Sequence, residues 1–315
     1  MYQYIFPCRD HIRRKLSALV CLVLSPRAHS LSGSYLFGGK SGVANEASKG
    51  PPSKYPVTRI REGSTLGSSM SITSGEDKGK YEEGFSHFLQ KSAAGARIGF
   101  AEVDIVHAVV GNQACDADSI CSAMCLAFLK SITPAVIAGD DGVEKTIQFV
   151  PVMSIPREDL ALRQEVLVLF DLCDVDPVSV VFSDEVDLAA LQAEGRLRLT
   201  LTDHNALAGN HKGLSNSVVE IVDHHLDTKE HLEVDGDSRD IAFDAESVPG
   251  KALVGSCCTM VAERMLSLAP DSVAEDVARL LLGVILIDTA NLDPKVDRAT
   301  PRDNAVVEEL RHRLA

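Results

Sequence analysis

Residues 105–130 read IVHAVVGNQACDADSICSAMCLAFLK, and this stretch sets the fold class. Ile105–Val110 is apolar and rich in β-branched residues, which predicts a strand buried on both faces. Ser119–Lys130 carries helical periodicity with few polar positions, which predicts a buried helix. Between them, Gly111–Ser119 holds two acids, Asp116 and Asp118. A buried strand that runs through a short loop into a helix is the first half of a βαβ unit.

The alternation continues outward from there. Strands are predicted at Ala135–Ala138, Ile147–Met153, Val178–Phe182, Leu197–Leu201 and Val218–Val222. Helices are predicted at Lys80–Ser92, Arg157–Leu172, Asp187–Glu194, Cys258–Leu268, Ser272–Ile287 and Pro301–Leu314, the Ser272–Ile287 run finishing in extended form. The expected architecture is α/β, a mostly parallel sheet with helices on both faces, over residues 81–315. In such sheets ligands gather beyond the carboxyl ends of the strands. Residues 1–80 read as a separate extension. Leu31–Lys80 is rich in Ser and Gly, carries a Pro-Pro pair at 51–52 and has no sustained periodicity, so it is expected to be disordered.

Composition agrees with a folded core. Of 315 residues, 45% are hydrophobic and 24% charged, which excludes collagen-like, low-complexity and disulfide-scaffold classes. Charge is uneven: residues 1–98 hold 14 Lys/Arg against 7 Asp/Glu (net +7), and residues 99–315 hold 17 against 38 (net −21). So acidic a domain repels nucleic acid and anionic membranes unless metal ions intervene. None of the eight cysteines forms a CxxC pair, and several lie in apolar runs, so they read as reduced core residues in a reducing compartment. No apolar run is long enough to span a bilayer. Leu16–Leu24 follows Arg13-Arg14-Lys15. This is the pattern of a secretory signal or an Arg-rich mitochondrial presequence, and equally of an unstructured extension. Reduced cysteines weigh against secretion, so the expected location is cytoplasmic, or organellar if residues 1–30 are a presequence.

Asp116 and Asp118 alone carry little, because an acid or Ser119 at a helix start ordinarily caps free N–H groups. Three further clusters change the weighting. Leu197–Leu201 runs into Thr202-Asp203-His204-Asn205, Val218–Val222 into Asp223-His224-His225, and Leu280–Ile287 into Asp288. Carboxylates at the ends of buried strands are costly without countercharge, and no Lys or Arg adjoins these clusters in sequence. Divalent cations would supply it, and oxygen-rich donors with one or two imidazoles suit Mg²⁺ or Mn²⁺ better than zinc. Two such ions would lower the pKa of a water held between them, which then attacks phosphorus in line. No P-loop, GxGxxG or GxSxG element competes with that reading.

These motifs resemble the DHH phosphoesterase superfamily, named for the triplet at Asp223-His224-His225, and within it the exopolyphosphatase/prune-like branch, which is related to family II inorganic pyrophosphatases. GNQACDADS at 111–119 looks like the first motif, and FVPVMSIPREDLALR at 149–163 and FSDEVDL at 182–188 like the segments that follow. LTDHN at 201–205 is similar to the second motif, and GSCCT at 255–259, LLGVILIDTANL at 281–292 and ATP at 299–301 continue the match. The resemblance implies that Asp116, Asp118, Asp203, His224 and Asp288 hold two metal ions, with Asp203 bridging. It implies that His225 contacts a substrate phosphate. Asn112, Ser119, Asp223, His204 and Asn205 are implied to stand behind those ligands. Family II pyrophosphatases have a histidine where this chain has Asn112, which hardens the site towards Mg²⁺. Animal prune departs from the DHH triplet, and this chain keeps it. The family's C-terminal DHH-associated domain, which closes over the site with Arg and Lys, is expected to be missing.

The implied activity is exopolyphosphatase-like hydrolysis of short polyphosphate. A pyrophosphatase or a nucleotide phosphodiesterase of the same superfamily is the enzymatic alternative. An interaction protein or an inactive truncated form is the alternative of another class. Oligomeric state is not indicated. The Arg157–Arg163 charges read as a solvated helix start, Ser256 and Thr259 as caps, and Asp184, Glu185 and Asp187 as a solvated turn.

Overall fold

The computed structural model describes residues 84–133 and 144–315. The extension at 1–80, the apolar run Leu16–Leu24 and the strand expected at Ala135–Ala138 lie outside the described residues. No helix among the described residues is long and apolar enough to cross a membrane.

Six parallel strands form the sheet: β1 (Ile105–Val110), β2 (Ile147–Met153), β3 (Val181–Phe182), β4 (Leu197–Thr202), β5 (Val218–Asp223) and β6 (Arg239–Ile241), in the order β3-β2-β1-β4-β5-β6. The chain builds outward from β1 through β2 and β3, then crosses back to start β4 on the other side of β1. The carboxyl ends of β1 and β4 therefore flank the reversal, where an open parallel sheet leaves a crevice. A two-stranded antiparallel hairpin, β7 (Phe243–Asp244) with β8 (Lys251–Ala252), follows the sheet.

Seven α-helices accompany the strands among the described residues: α1 (Phe85–Arg97), α2 (Ala117–Ile132), α3 (Gln164–Leu172), α4 (Leu188–Ala193), α5 (Cys257–Leu268), α6 (Glu275–Asp288) and α7 (Pro301–Arg313). Pleat alternation divides β1 between two cores. Val109 joins the larger one, beneath α2, α3, α5, α6 and α7, and Val106, Ala108 and Val110 face a smaller one closed by Leu188 and Leu191 of α4. Helices thus cover both faces, unequally. Cys115, Cys121, Cys125, Cys173, Cys257 and Cys258 are free and buried, and burial pushes the Cys115 and Cys173 thiols up to about 12.

Several boundaries differ from the sequence reading for local reasons. The first helix is Phe85–Arg97 rather than Lys80–Ser92. Arg157–Leu172 is broken into a 3₁₀ segment (Arg157–Leu162) and α3, because Arg163 leaves helical geometry at φ −102°, ψ 71°. Pro177–Ser179 is a 3₁₀ turn with Val178 exposed, so β3 keeps only two residues. The run to Asp288 stays helical throughout and does not finish extended. Arg157 is no solvated cap. Its guanidinium binds Glu185 and the carbonyls of Pro177 and Val180, and it stacks 4.5 Å over the Phe182 ring. Asp184 accepts from the Arg157 backbone, and Asp187 caps α4, so the turn is solvent-exposed, as expected, and its acids also hold the local backbone.

The middle of α5 is tied to the amino end of α7 through Arg302, whose Nε and Nη2 donate to the Glu263 carboxylate at 3.0 and 2.6 Å. Glu263 is buried, so removing the guanidinium takes a bidentate counter-ion from a charge held away from water. Arg302→Ala should lower unfolding free energy by about 3 kcal/mol in urea titrations. A loss within error would show that this pair does not hold the two helices together.

Candidate metal centre

The loops after β1, β4 and β5 meet at one cavity of about 830 Å³. Asn112, Asp116, Asp118, Asp203, His224, His225 and Asp288 all line it. Ligand atoms of Asp203, His224 and His225 lie within 4.8 Å of one another.

Asp203 sits just past β4 in the left-handed region (φ 61°), a conformation Asp tolerates better than most residues. Its Oδ2 accepts from Asn112 Nδ2 at 2.7 Å. Its Oδ1 is buried without a hydrogen-bond partner, and His224 Nε2 stands 3.2 Å away. Two donors at right angles around an ion ~2.1 Å from each stand ~3.0 Å apart, so this spacing fits shared ligation. His224 Nδ1 is 3.1 Å from the Val254 carbonyl, which leaves Nε2 as the free donor facing the carboxylates.

Asp223 is spent on support. Its Oδ1 accepts from the backbone of His224 and from Nδ1 of His225 at 2.8 Å each, and its Oδ2 from Asn205 Nδ2 at 2.5 Å. Asn205 also accepts from Thr228, which fixes the loop beyond His225. His225 is thereby oriented with Nε2 open and its side chain more than half exposed. Ser119 donates its backbone N–H to Asp116. His204 does not reach the cavity: its Nδ1 is held 2.8 Å from the Thr202 carbonyl, and burial lowers its pKa.

Neither Asp118 nor Ser119 caps α2. Asp116 caps α2. Asp118 caps a different helix, 138 residues on: Oδ1 accepts from Ser256 Oγ (2.7 Å) and Cys258 N (2.8 Å), and Oδ2 from Cys257 N (2.7 Å). Its remaining lone pair, on Oδ2, faces His224 Nε2 at 3.7 Å, so Asp118 has one oxygen to offer an ion. Neither Ser256 nor Thr259 caps α5 with its own side chain, since Thr259 Oγ1 donates instead to Asp303. Arg163 is not a solvated cap either: its Nε holds the Ala114 carbonyl at 2.7 Å, bracing the loop before Asp116.

Asp288 ends α6, where the helix presents partial negative charge, and its Oδ2 is buried with no partner. Burial and the Asp118 charge push Asp288 up to about 9 and Asp203 up to about 7. Burial opposes a charged His224, but the nearby Asp203 and Asp118 carboxylates outweigh it and lift that imidazole to about 10. The Asp223 hydrogen bond raises His225. Two orphaned oxygens among crowded carboxylates are what a cation site shows when only protons balance it. Sequence adjacency had offered no basic residue, yet folding brings Lys251 and Arg298 to the same cavity.

A family model described as "DHH family, N-terminal domain" matches residues 107–287. The chain belongs to the DHH family. It is 36% identical over 221 residues to exopolyphosphatase PRUNE1 of Homo sapiens, across 69% of this chain and 43% of the human protein. It is 25% identical over 209 residues to protein prune homolog 2 of Mus musculus, across 66% of this chain and 6% of that protein. Among solved structures, an exopolyphosphatase-related protein from Bacteroides fragilis aligns at a TM-score of 0.44 with 14% identity, over 71% of this chain and 57% of that one. The chain spans under half the length of the human relative. DHH phosphoesterases are metal-dependent, and the acidic and imidazole donors found here fit a divalent cation.

A carboxyl group raised on folding costs stability as pH climbs from its unfolded value towards its folded one. In chelator at pH 8, Asp288→Asn should therefore raise Tm by about 2–4 °C, with the gain shrinking at pH 5. Adding Mg²⁺ should stabilise the parent protein more than the variant and reverse their order. A variant less stable than the parent in chelator at pH 8 would contradict the assignment of Asp288 as an uncompensated buried acid.

Proposed function

We propose that this chain carries the metal-binding half of a phosphoanhydride hydrolase, an exopolyphosphatase-like enzyme that releases orthophosphate from short polyphosphate. The observation that carries the reading is the pair of buried oxygens that accept no hydrogen bond, Asp203 Oδ1 and Asp288 Oδ2, in one cavity with His224 and His225. The similarity to proteins named exopolyphosphatase supports the substrate class.

Asp116, Asp118, Asp203, His224 and Asp288 would hold two divalent ions, Mg²⁺ or Mn²⁺, with Asp203 shared between them. Such ions supply charge for phosphoryl oxygens and lower the pKa of a water nucleophile. Asn112 fixes which oxygen of Asp203 faces the site, by occupying the other. His225 presents Nε2 while Asp223 holds Nδ1, so a protonated ring can donate to a phosphoryl oxygen and stabilise charge there. The acidity of residues 99–315 favours a small, metal-complexed anion over a nucleic acid as substrate.

The test is phosphate release from tripolyphosphate, long polyphosphate, pyrophosphate and a cyclic nucleotide with Mg²⁺ or Mn²⁺. Turnover is expected on tripolyphosphate, with kcat/KM falling about 10²–10³-fold in His225→Ala. Folded protein that turns over none of the four would sink the enzyme reading in favour of an interaction role. Turnover confined to pyrophosphate or the cyclic nucleotide would move the substrate class.

A further inference from the structure

Metal ions alone leave the charge balance of this cavity incomplete. Two divalent cations neutralise Asp116, Asp118, Asp203 and Asp288 and no more, so the substrate's own charge is left over. The carboxylates of Asp244 and Asp297, which also line the cavity, add to that excess. Arg298 and Lys251 are the lysine and arginine among the described lining residues, and neither side chain has a hydrogen bond or ion pair there. Elsewhere Arg157, Arg196, Arg239, Arg264 and Arg302 are all paired with carboxylates. Among the described residues, Arg298 is the one guanidinium that lines this acidic cavity.

Its placement is fixed through the backbone. Gly255 lets the strip carrying Arg298 come close, since a Cβ there would lie 2.7 Å from the Arg298 carbonyl oxygen. The buried Asp303 accepts from Gly255 N at 2.8 Å and from Thr300 N and Oγ1 at 2.7 Å each, clamping the strip to the same loop. That loop is bonded to the metal-facing groups as well, through Val254 to His224 and through Ser256 to Asp118. Arg298 is therefore held in fixed register with the proposed ligands.

We propose that Arg298 is the residue by which this chain itself grips the phosphate chain, with Lys251 as a second, more mobile cation. The inference rests on the phosphoanhydride reading above and adds an anion clamp built within this chain. Arginine suits the task because its planar fork binds two phosphoryl oxygens at once and never loses its charge. Lysine on the exposed β8 strand contributes as a point charge and should be weakened by salt.

Two measurements separate this claim from the one beneath it. Calorimetric titration of tripolyphosphate, with Ca²⁺ present, reads binding, and phosphate release with Mg²⁺ reads turnover. Arg298→Ala should weaken tripolyphosphate binding and raise KM by about 10-fold or more, with a smaller effect on kcat and unchanged Mn²⁺ binding. Arg298→Lys should recover part of that loss, and Lys251→Ala should lose less, mainly at low salt. Tripolyphosphate bound equally by the parent and by Arg298→Ala, or not bound by the parent at all, overturns the clamp. Parent protein that binds tripolyphosphate through Arg298 but releases no phosphate keeps the clamp and removes the hydrolase reading.

Discussion

The Asp118 carboxylate at the amino end of α5 is the interaction on which the site's geometry depends. It leaves the first turn of α2, reaches across the sheet edge and satisfies Ser256 Oγ and the free N–H groups of Cys257 and Cys258. A negative charge at that position is favoured by the helix dipole as well as by its hydrogen bonds. The cost is that only one lone pair of Asp118 still faces the cavity. The adjoining residues Val254 and Gly255 hold His224 and Asp303. One five-residue segment, 254–258, thus sets the mutual position of groups drawn from α2, the end of β5 and α7.

Placing acids this closely demands compensation, and the protein supplies it unevenly. Asp223 is saturated by His224, His225 and Asn205, so it functions as a support. Asp203 and Asp288 each keep a buried oxygen that accepts no hydrogen bond, and burial and the Asp118 charge push both carboxyl groups up. Deeper in the sheet, His107 shows the opposite solution. Burial depresses it to about 3, and it stays neutral against Thr200, which passes a hydrogen bond to Glu220 and its partners Lys130 and Arg264. The His107–Thr200–Glu220 chain is closed by Lys130 and Arg264, whereas Asp203 and Asp288 each leave a buried oxygen open towards an incoming ion.

Much of this was legible in the sequence because apolar β-branched runs and the acids that follow them are local patterns. The β1, β4 and β5 strands and the acids beyond them could be placed from pattern alone. The α6 run was misread at its end because a continuous apolar stretch is compatible with either a buried helix or a strand, and only its length argues for the helix. β6 was missed because three residues carry no periodicity. Arg157 and Asp118 were assigned to their own helix starts, while their true partners lie 20 to 140 residues away. Thr300-Pro301-Arg302-Asp303 carried a visible capping-box pattern, but that Asp303 also anchors Gly255 and Thr259 follows only from the fold. Lys251 and Arg298 reach the cavity only through the fold, since neither adjoins one of the four acid clusters in sequence.

The central claim is that the β1–β4 crevice is a two-ion site bridged by Asp203. Counting Mn²⁺ bound per chain, by equilibrium titration of parent protein and Asp203→Asn, tests it most directly. The account predicts about two ions for the parent and loss of tight binding at both positions in the variant, because one carboxylate serves both. A folded parent that binds no Mn²⁺, or a variant that retains both ions at unchanged affinity, would contradict it.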